Sequence, residues 1–274
     1  MKSLFSVQQK YSSDFKNNFS DEFYHIFLFE GTGTLMIDLV EYNFSGKNIL
    51  FTSPYQNIQI QSETDFEIDF LNFHGDYYCI EYHKKEVACN GLLFNNIYLF
   101  PHFELDKHQF KEISEILKKI KNINQNENFS DAVLKSYLQL ILALSSQKKN
   151  QLLIENNFST EEFSEFKTFQ NLVEEHFRLE RSPAFYADLM HISANTLSKK
   201  IKKEFNKTPS QIIQERVILE AKKQIHLTRK SIKEIAAELN FEDEFYFSKY
   251  FKKLVGVSPS QFREEVGISV VADL

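Results

Sequence analysis

Tryptophan is absent from this sequence and cysteine nearly so, with Cys79 and Cys89 the only two. Neither lies in a Cys-x-x-Cys pair. Their spacing allows a disulfide or two buried thiols, and without an export signal two reduced thiols in a cytoplasmic protein is the favoured reading. Long hydrophobic runs are missing too. No stretch of about eighteen apolar residues occurs, which excludes a membrane-spanning helix. Met1 to Lys10 holds no apolar core of the kind a secretory signal needs. What is plentiful is phenylalanine, 28 in 274 residues, in a chain that is 42% hydrophobic. That is material for one large or two ordinary domains.

Positive charge is also short overall, with a net charge of −6. Such a balance argues against a nucleic-acid partner until its distribution is read. Phe166 to Glu265 carries 18 Lys and Arg against 14 Asp and Glu, a local +4; the remainder carries 14 against 24, or −10. The front of the chain repels phosphate and the back accepts it.

From Phe23 to Phe103 the pattern is β. Aromatic and β-branched runs recur at Phe23–Phe29, Thr34–Tyr42, Asn48–Thr52, Asn57–Gln61, Phe66–Phe73 and Tyr77–Tyr82. Turn material separates them, including Gly31-Thr-Gly33 and Ser45-Gly46-Lys47. Short strands at near-regular spacing predict a sandwich or barrel over 1–105. After Pro101 the period changes. Phe110, Ile113, Leu117 and Ile120 mark one amphipathic helix; Val133, Leu134, Tyr137, Leu138, Ile141 and Leu142 mark a second, capped by Ser130 or Asp131. This pair, within 106–147, either packs on the barrel or pairs with its twin in a homodimer. The polar residues that follow read as a linker over 148–163.

The back of the chain, 164–267, contains an internal repeat. Leu197–Ile213 set above Phe247–Arg263 gives seven identities in seventeen positions, including Ser198/Ser248, Lys199/Lys249, Lys202/Lys252, Lys203/Lys253 and Pro209/Pro259. The period is fifty. Each copy reads as helix, tight turn, helix, over about 183–205 and 232–255. Ser182-Pro183 opens the first, with Ala187 inside it and Ser193 capping its second helix. Ser231 opens the second, Asn240 takes the left-handed turn position, and the helix restarts near Asp243. A small residue where two helices must approach, then a tight turn, is the helix-turn-helix pattern. Leu197, Ile201 and Phe205 face inward in the first copy; Phe247, Phe251 and Leu254 or Val255 do so in the second. That leaves Asn195, Thr196, Ser198, Lys199, Lys202 and Lys203, and Glu244, Phe245, Ser248, Lys249, Lys252 and Lys253, as candidate contacts to double-stranded DNA. Asn, Lys and Glu at a reading end bond base edges, and later lysines suit phosphates. Phe245 either meets a thymine methyl or folds back. One long helix, Pro209 to His226, joins the copies and sets two reading helices one DNA turn apart, about 34 Å.

The run Ser231–Arg263 resembles the signature of the AraC/XylS family of bacterial transcription regulators, and the resemblance covers about Phe166 to Glu265. Asn206 and Asn240 stand where the family usually has glycine; both tolerate positive φ. The resemblance implies an α+β multidomain protein: an N-terminal cupin-like β-barrel with two following helices, then an all-α domain with two helix-turn-helix motifs joined by a long helix. It implies a non-enzymatic regulator of transcription, an activator by expectation though activation and repression both stay open, control by a small-molecule effector, a homodimer, and RNA polymerase as a further partner. Metal-binding cupins need a His-x-His with a downstream Glu and a further His. His25 and Glu30 are here, but His74, His83 and His102 are scattered, so the expectation is no metal and no cofactor. An N-terminal domain that serves only as a dimerisation or partner platform is the alternative, and a cupin-type enzyme a third.

Overall fold

A computed structural model of the protein describes residues 3–38, 40–78, 80, 92–95, 97–123, 130–155 and 160–268. The chain divides into two compact units. One comprises Met1–Asn96 and Pro101–Leu153, the other Ile97–Phe100 and Ile154–Leu274.

The first unit is built on an antiparallel sheet of six strands: β1 (Phe5–Tyr11), β2 (Tyr24–Ile37), β3 (Val40–Thr52), β4 (Ile58–Gln61), β5 (Glu67–Phe73) and β6 (His102–Glu104). The order is β1-β5-β2-β3-β6. The long β2 changes partner along its length: Tyr24–Phe29 pair with β5, whereas Thr34–Ile37 pair with β4. Both faces of the sheet are covered. Tyr24, Ile26 and Leu28 point to one side, where Ile49, Phe51, Leu71 and Phe73 meet residues of helices α1 (Lys107–Lys121) and α2 (Ser130–Glu155). Phe27 and Phe29 point to the other, joining Phe15, Leu35, Phe44, Ile58 and Phe70. A strand buried on both faces has no reason to alternate, which is why Tyr24–Phe29 reads as a continuous apolar run.

Two expected turns lie inside strands. Gly31 pairs with Gly46 and Gly33 with Phe44, all within one long β2–β3 hairpin whose turn comes at Asp38, φ 54°. Thr34–Tyr42 is therefore two strand ends and a turn. The glycines serve close approach instead: a Cβ on Gly31 would lie 2.6 Å from the Phe66 ring, and one on Gly33 would overlap the Gln61 carbonyl. The strand expected at Tyr77–Tyr82 opens as a turn, the Tyr77 and Tyr78 amides both donating to the His74 carbonyl. Cys79, His83 and Cys89 lie outside the described residues.

Helix α1 begins with a capping box between Asp106 and Gln109 and buries Ile113, Leu117 and Ile120. Helix α2 buries Leu134, Leu138, Ile141 and Leu142 and leaves Val133 and Leu140 exposed. The linker expected over 148–163 is helical at both ends. Helix α2 continues to Glu155 and α3 starts at Thr160. Lys149, read as linker, is buried with its ammonium 5.8 Å from the centre of the Phe103 ring, and burial pushes its pKa down to about 7.

The second unit is helical: α3 (Thr160–His176), α4 (Pro183–Leu189), α5 (Ala194–Phe205), α6 (Pro209–Leu227), α7 (Ile232–Glu238), α8 (Glu244–Val255) and α9 (Pro259–Val266). Helix α6, 19 residues and so about 28 Å long, is the shared strut. Helices α3 and α5 pack on it, as do α7, α8 and α9. Ile212, Ile213, Val217, Ala221 and Ile225 are its fully buried residues. No helix among the described residues is long and apolar enough to cross a membrane.

Candidate nucleic-acid interface

Each motif is positioned by local chemistry. In the first, the Ile192 amide donates to the Ala187 carbonyl across a turn in which His191 is left-handed, φ 55°. Ser193 then caps α5 by accepting from the Thr196 amide, and Asn206 closes the helix at φ 54°. In the second, the Phe241 amide donates to the Ala236 carbonyl and Asn240 is the left-handed residue, φ 55°. Asp243 caps α8 by accepting from the Tyr246 amide, and Gly256 closes it at φ 92°. Ala187 and Ala236 are buried, as close helix approach demands. The repeated Thr208-Pro209-Ser-Gln211 and Ser258-Pro259-Ser-Gln261 are then explained structurally: an N-cap hydroxyl, a proline at the first helical position, and a glutamine amide that the cap accepts from. Ser182 departs from expectation. It sits at the N-cap of α4 but makes no capping hydrogen bond.

The inward faces are as read for Leu197 and Ile201, and for Phe247, Phe251 and Val255, all buried; the Phe205 side chain lies outside the described residues. On the outward faces Asn195, Lys199, Lys202 and Lys203 are exposed, with Thr196 and Ser198 half-buried. The Thr196 hydroxyl also lies 2.8 Å from that of Ser193, so part of its capacity goes to the cap. In the second motif Glu244, Lys249, Lys252 and Lys253 are exposed and Ser248 is half-buried. Phe245 is 80% exposed, which settles its direction as outward, and its neighbour Tyr246 is 53% exposed.

Several residues that support the interface carried no sequence signal. Glu220 on α6 accepts from Arg178 at 2.9 Å and Arg216 at 3.2 Å, and the Arg216 Nε donates to Glu174 on α3. Arg216 also stacks on Phe177, 4.0 Å from its centre. Burial alone would raise the Glu220 carboxyl, but Arg178, Arg216 and Gln224 outweigh it and hold the pKa below the ordinary glutamate value. In the segment Ile97–Phe100 the Ile97 carbonyl accepts from Lys207 at 3.2 Å, and the Tyr98 hydroxyl donates to Glu174 at 2.8 Å. Arg263 donates to the Ile225 carbonyl in the last turn of α6 and to the Lys230 carbonyl beyond its end.

In the first unit, His25 is buried between the Thr52 hydroxyl at 3.1 Å and an Asp21 carboxylate oxygen at 2.9 Å, whereas Glu30 pairs with Lys47. The two do not converge. No cluster of three His, Cys, Asp or Glu suited to a metal occurs among the described residues.

Comparison with known proteins matches residues 186–265 to a helix-turn-helix domain family. The matched span begins within α4 and takes in α5, the strut, the second motif and most of α9. The region is an AraC/XylS-family domain. Over 165 residues, 60% of this chain, the chain is 24% identical to the HTH-type transcriptional activator RhaS of Escherichia fergusonii, covering 57% of that protein. Over 84 residues, 30% of this chain, it is 32% identical to the raffinose operon transcriptional regulatory protein RafR of Pediococcus pentosaceus, covering 30% of it. The chain thus spans little more than half of the first relative and under a third of the second. Among solved structures, ToxT from Vibrio cholerae aligns over 96% of this chain and 98% of its own, at 17% identity and a TM-score of 0.42.

Proposed function

We propose that this protein is a sequence-specific transcription regulator whose AraC/XylS-type domain reads two successive major-groove segments, one with α5 and one with α8. One observation carries this reading: at matching positions of the two helices, polar and basic side chains are presented to solvent above a buried apolar face. The N-terminal residues of each helix, Asn195 and Thr196 or Glu244 and Phe245, are the base readers. Lys199 and Lys249 lie at the boundary, and Lys202, Lys203, Lys252 and Lys253 hold phosphates. Selecting bound duplexes from random DNA tests it. The reading expects two recognised segments centred one helical turn apart, about 34 Å; a single short segment, or no enrichment, overturns it.

For the first unit, the ring packing on the inner face of the sheet favours a dimerisation or partner platform over an effector pocket. Phe27 contacts Phe15 and Phe70 at centroid distances of 5.2 and 5.0 Å, and His25 stacks on Phe70 at 5.2 Å. Homodimerisation, contact with RNA polymerase, activation rather than repression and a cytoplasmic location accompany this reading. The RhaS relatives, named as activators, support the direction of control. Native mass spectrometry of the protein from its expression host separates the two assignments: a retained small molecule restores the effector, and a ligand-free dimer supports the platform.

A further inference from the structure

Arg181 precedes Ser182, the residue at the N-cap of α4, and so belongs to the opening of the first motif. Its side chain does not stay there. The guanidinium lies 3.9 Å from the centre of the Phe241 ring, and its Nη2 donates to the Leu239 and Asn240 carbonyls. Those three residues are the turn of the second motif, and Asn240 is its left-handed position. The last carbonyls of a helix lack intrahelical partners and carry the negative end of its dipole, so a planar, permanently charged fork is well matched to them. Lys230, which likewise precedes the capping serine of its own motif, converges on the same end of α7 by pairing with Glu238 at 2.6 Å. Phe241 in turn packs on Phe247 of α8 at 5.1 Å and on Tyr250 at 5.2 Å. Arg181 therefore bears on the element that orients α8.

From this geometry we infer that Arg181 is a positioning residue for DNA reading: it clamps the turn of the second motif to the start of the first and fixes the spacing between α5 and α8. The inference rests on the two-segment reading proposed above. Helix α6 joins the motifs at one level of the unit through a covalent, hydrogen-bonded strut. Arg181 joins them a second time, through a stack and a shared donor group. Two bodies tied at one level retain a hinge; a second tie removes it. Without Arg181 the motifs fold and α8 still presents Lys249, but its angle to α5 is held only by the packing of α5, α7 and α8 on α6.

The test uses the full chain with Arg181→Ala and Arg181→Lys, and the duplex that the wild-type chain selects from random DNA. Binding is measured on that duplex, on duplexes with one base pair inserted or deleted between the two segments, and by footprinting. Thermal unfolding is followed in parallel. The expected result for both variants is a loss of roughly tenfold or more on the selected duplex, the order of one charge-assisted contact. Protection should be lost over the segment read by α8 and kept over that read by α5. Penalties for altered spacing should be smaller than in the wild type, because a hinged pair tolerates a changed separation. Lysine should not rescue, since it offers neither the stack nor the fork. Equal loss over both segments, or unchanged dependence on spacing, overturns the clamp and leaves Arg181 a contributor to stability only. Failure of the wild-type chain to select a two-segment duplex overturns the underlying reading itself, and the two failures are thereby distinct.

Discussion

The two helix-turn-helix motifs are close copies with one residue of difference, and its location is informative. Their first helices match at an offset of 49, Ser182 with Ser231 and Ala187 with Ala236. Their second helices match at 50, Ser193 with Asp243 and Leu197 with Phe247. The extra residue falls in the turn, where Phe241-Glu242 stands against Ile192 alone. Helix interiors are held to register by packing, since a shift of one residue rotates every side chain by about 100°. A turn has no such constraint. The reading ends differ as well: uncharged Asn195 and Thr196 open α5, while the acidic and aromatic Glu244 and Phe245 open α8. On the two-segment reading proposed above, shared scaffolds with different tips would select DNA segments that differ in sequence.

The largest test of the shared scaffold is core truncation at matched positions. Phe247→Ala should cost about 3–5 kcal/mol and Leu197→Ala about 2–5 kcal/mol, read by chemical denaturation. Phe247 should sit at the higher end, because its ring packs on those of Phe241 and Phe251. A smaller loss at Phe247 than at Leu197 would show that the second motif is packed less well than the first.

Next come the tips. Lys199→Ala and Lys249→Ala should each weaken binding to the selected duplex by about 1–3 kcal/mol and relax preference at one segment only. Lys202→Ala and Lys252→Ala should instead weaken binding on all sequences alike and lower the salt slope by about 1. If Lys249→Ala relaxes the same segment as Lys199→Ala, the assignment of one helix to one segment is wrong.

How much of this was legible follows the range of the forces involved. Helix caps, left-handed turn residues and inward stripes act within a few residues, so Ser193, Asn240, Leu197 and Phe247 could be placed from the sequence. Gly31 and Gly33 could not. Their reasons are the Phe66 ring and the Gln61 carbonyl, about thirty residues away, and locally a glycine in a polar stretch looks like a turn. Arg181 is similar: its partners at 239–241 are fixed by tertiary packing, so it reads as one more surface cation. Helix α2 overran its expected end because Gln, Lys and Asn after Ser146 are polar yet compatible with helix. That Lys149 is buried there is invisible without the strands that cover it.

The helix ends offer a smaller contrast. Gly256 and Asn206 occupy the same left-handed position after α8 and α5. A Cβ at Gly256 would meet nothing within 4 Å, so the cost of Gly256→Ala is backbone strain alone, about 1–2 kcal/mol. Asn206→Gly should change stability by only a few tenths of a kcal/mol, since asparagine already tolerates this conformation. A thermal shift that is equal for the two would show that the Gly256 cost is not conformational.

The smallest and sharpest comparison is at the first helix of each motif. Ser231 accepts from the Glu234 amide at 3.2 Å, while the Glu234 carboxylate accepts from the Ser231 amide at 2.7 Å, a reciprocal box. Ser182, its counterpart, makes no side-chain capping bond, and Phe185, three positions on, offers no carboxylate for the reciprocal half of the box. Ser231→Ala should therefore cost about 1 kcal/mol and Ser182→Ala only a few tenths. The order can also be reversed by design. Phe185→Glu supplies the missing half of the box, and on that background Ser182→Ala should become costly, which a double-mutant cycle measures. But Phe185 packs edge-on against Tyr186 and His176 at 5.3 and 5.2 Å, so the substitution also removes ring contacts. The coupling energy of the cycle cancels that loss where either single stability would not. A coupling near zero would mean that α4 is held by packing alone and that its serine is a relic of the repeat.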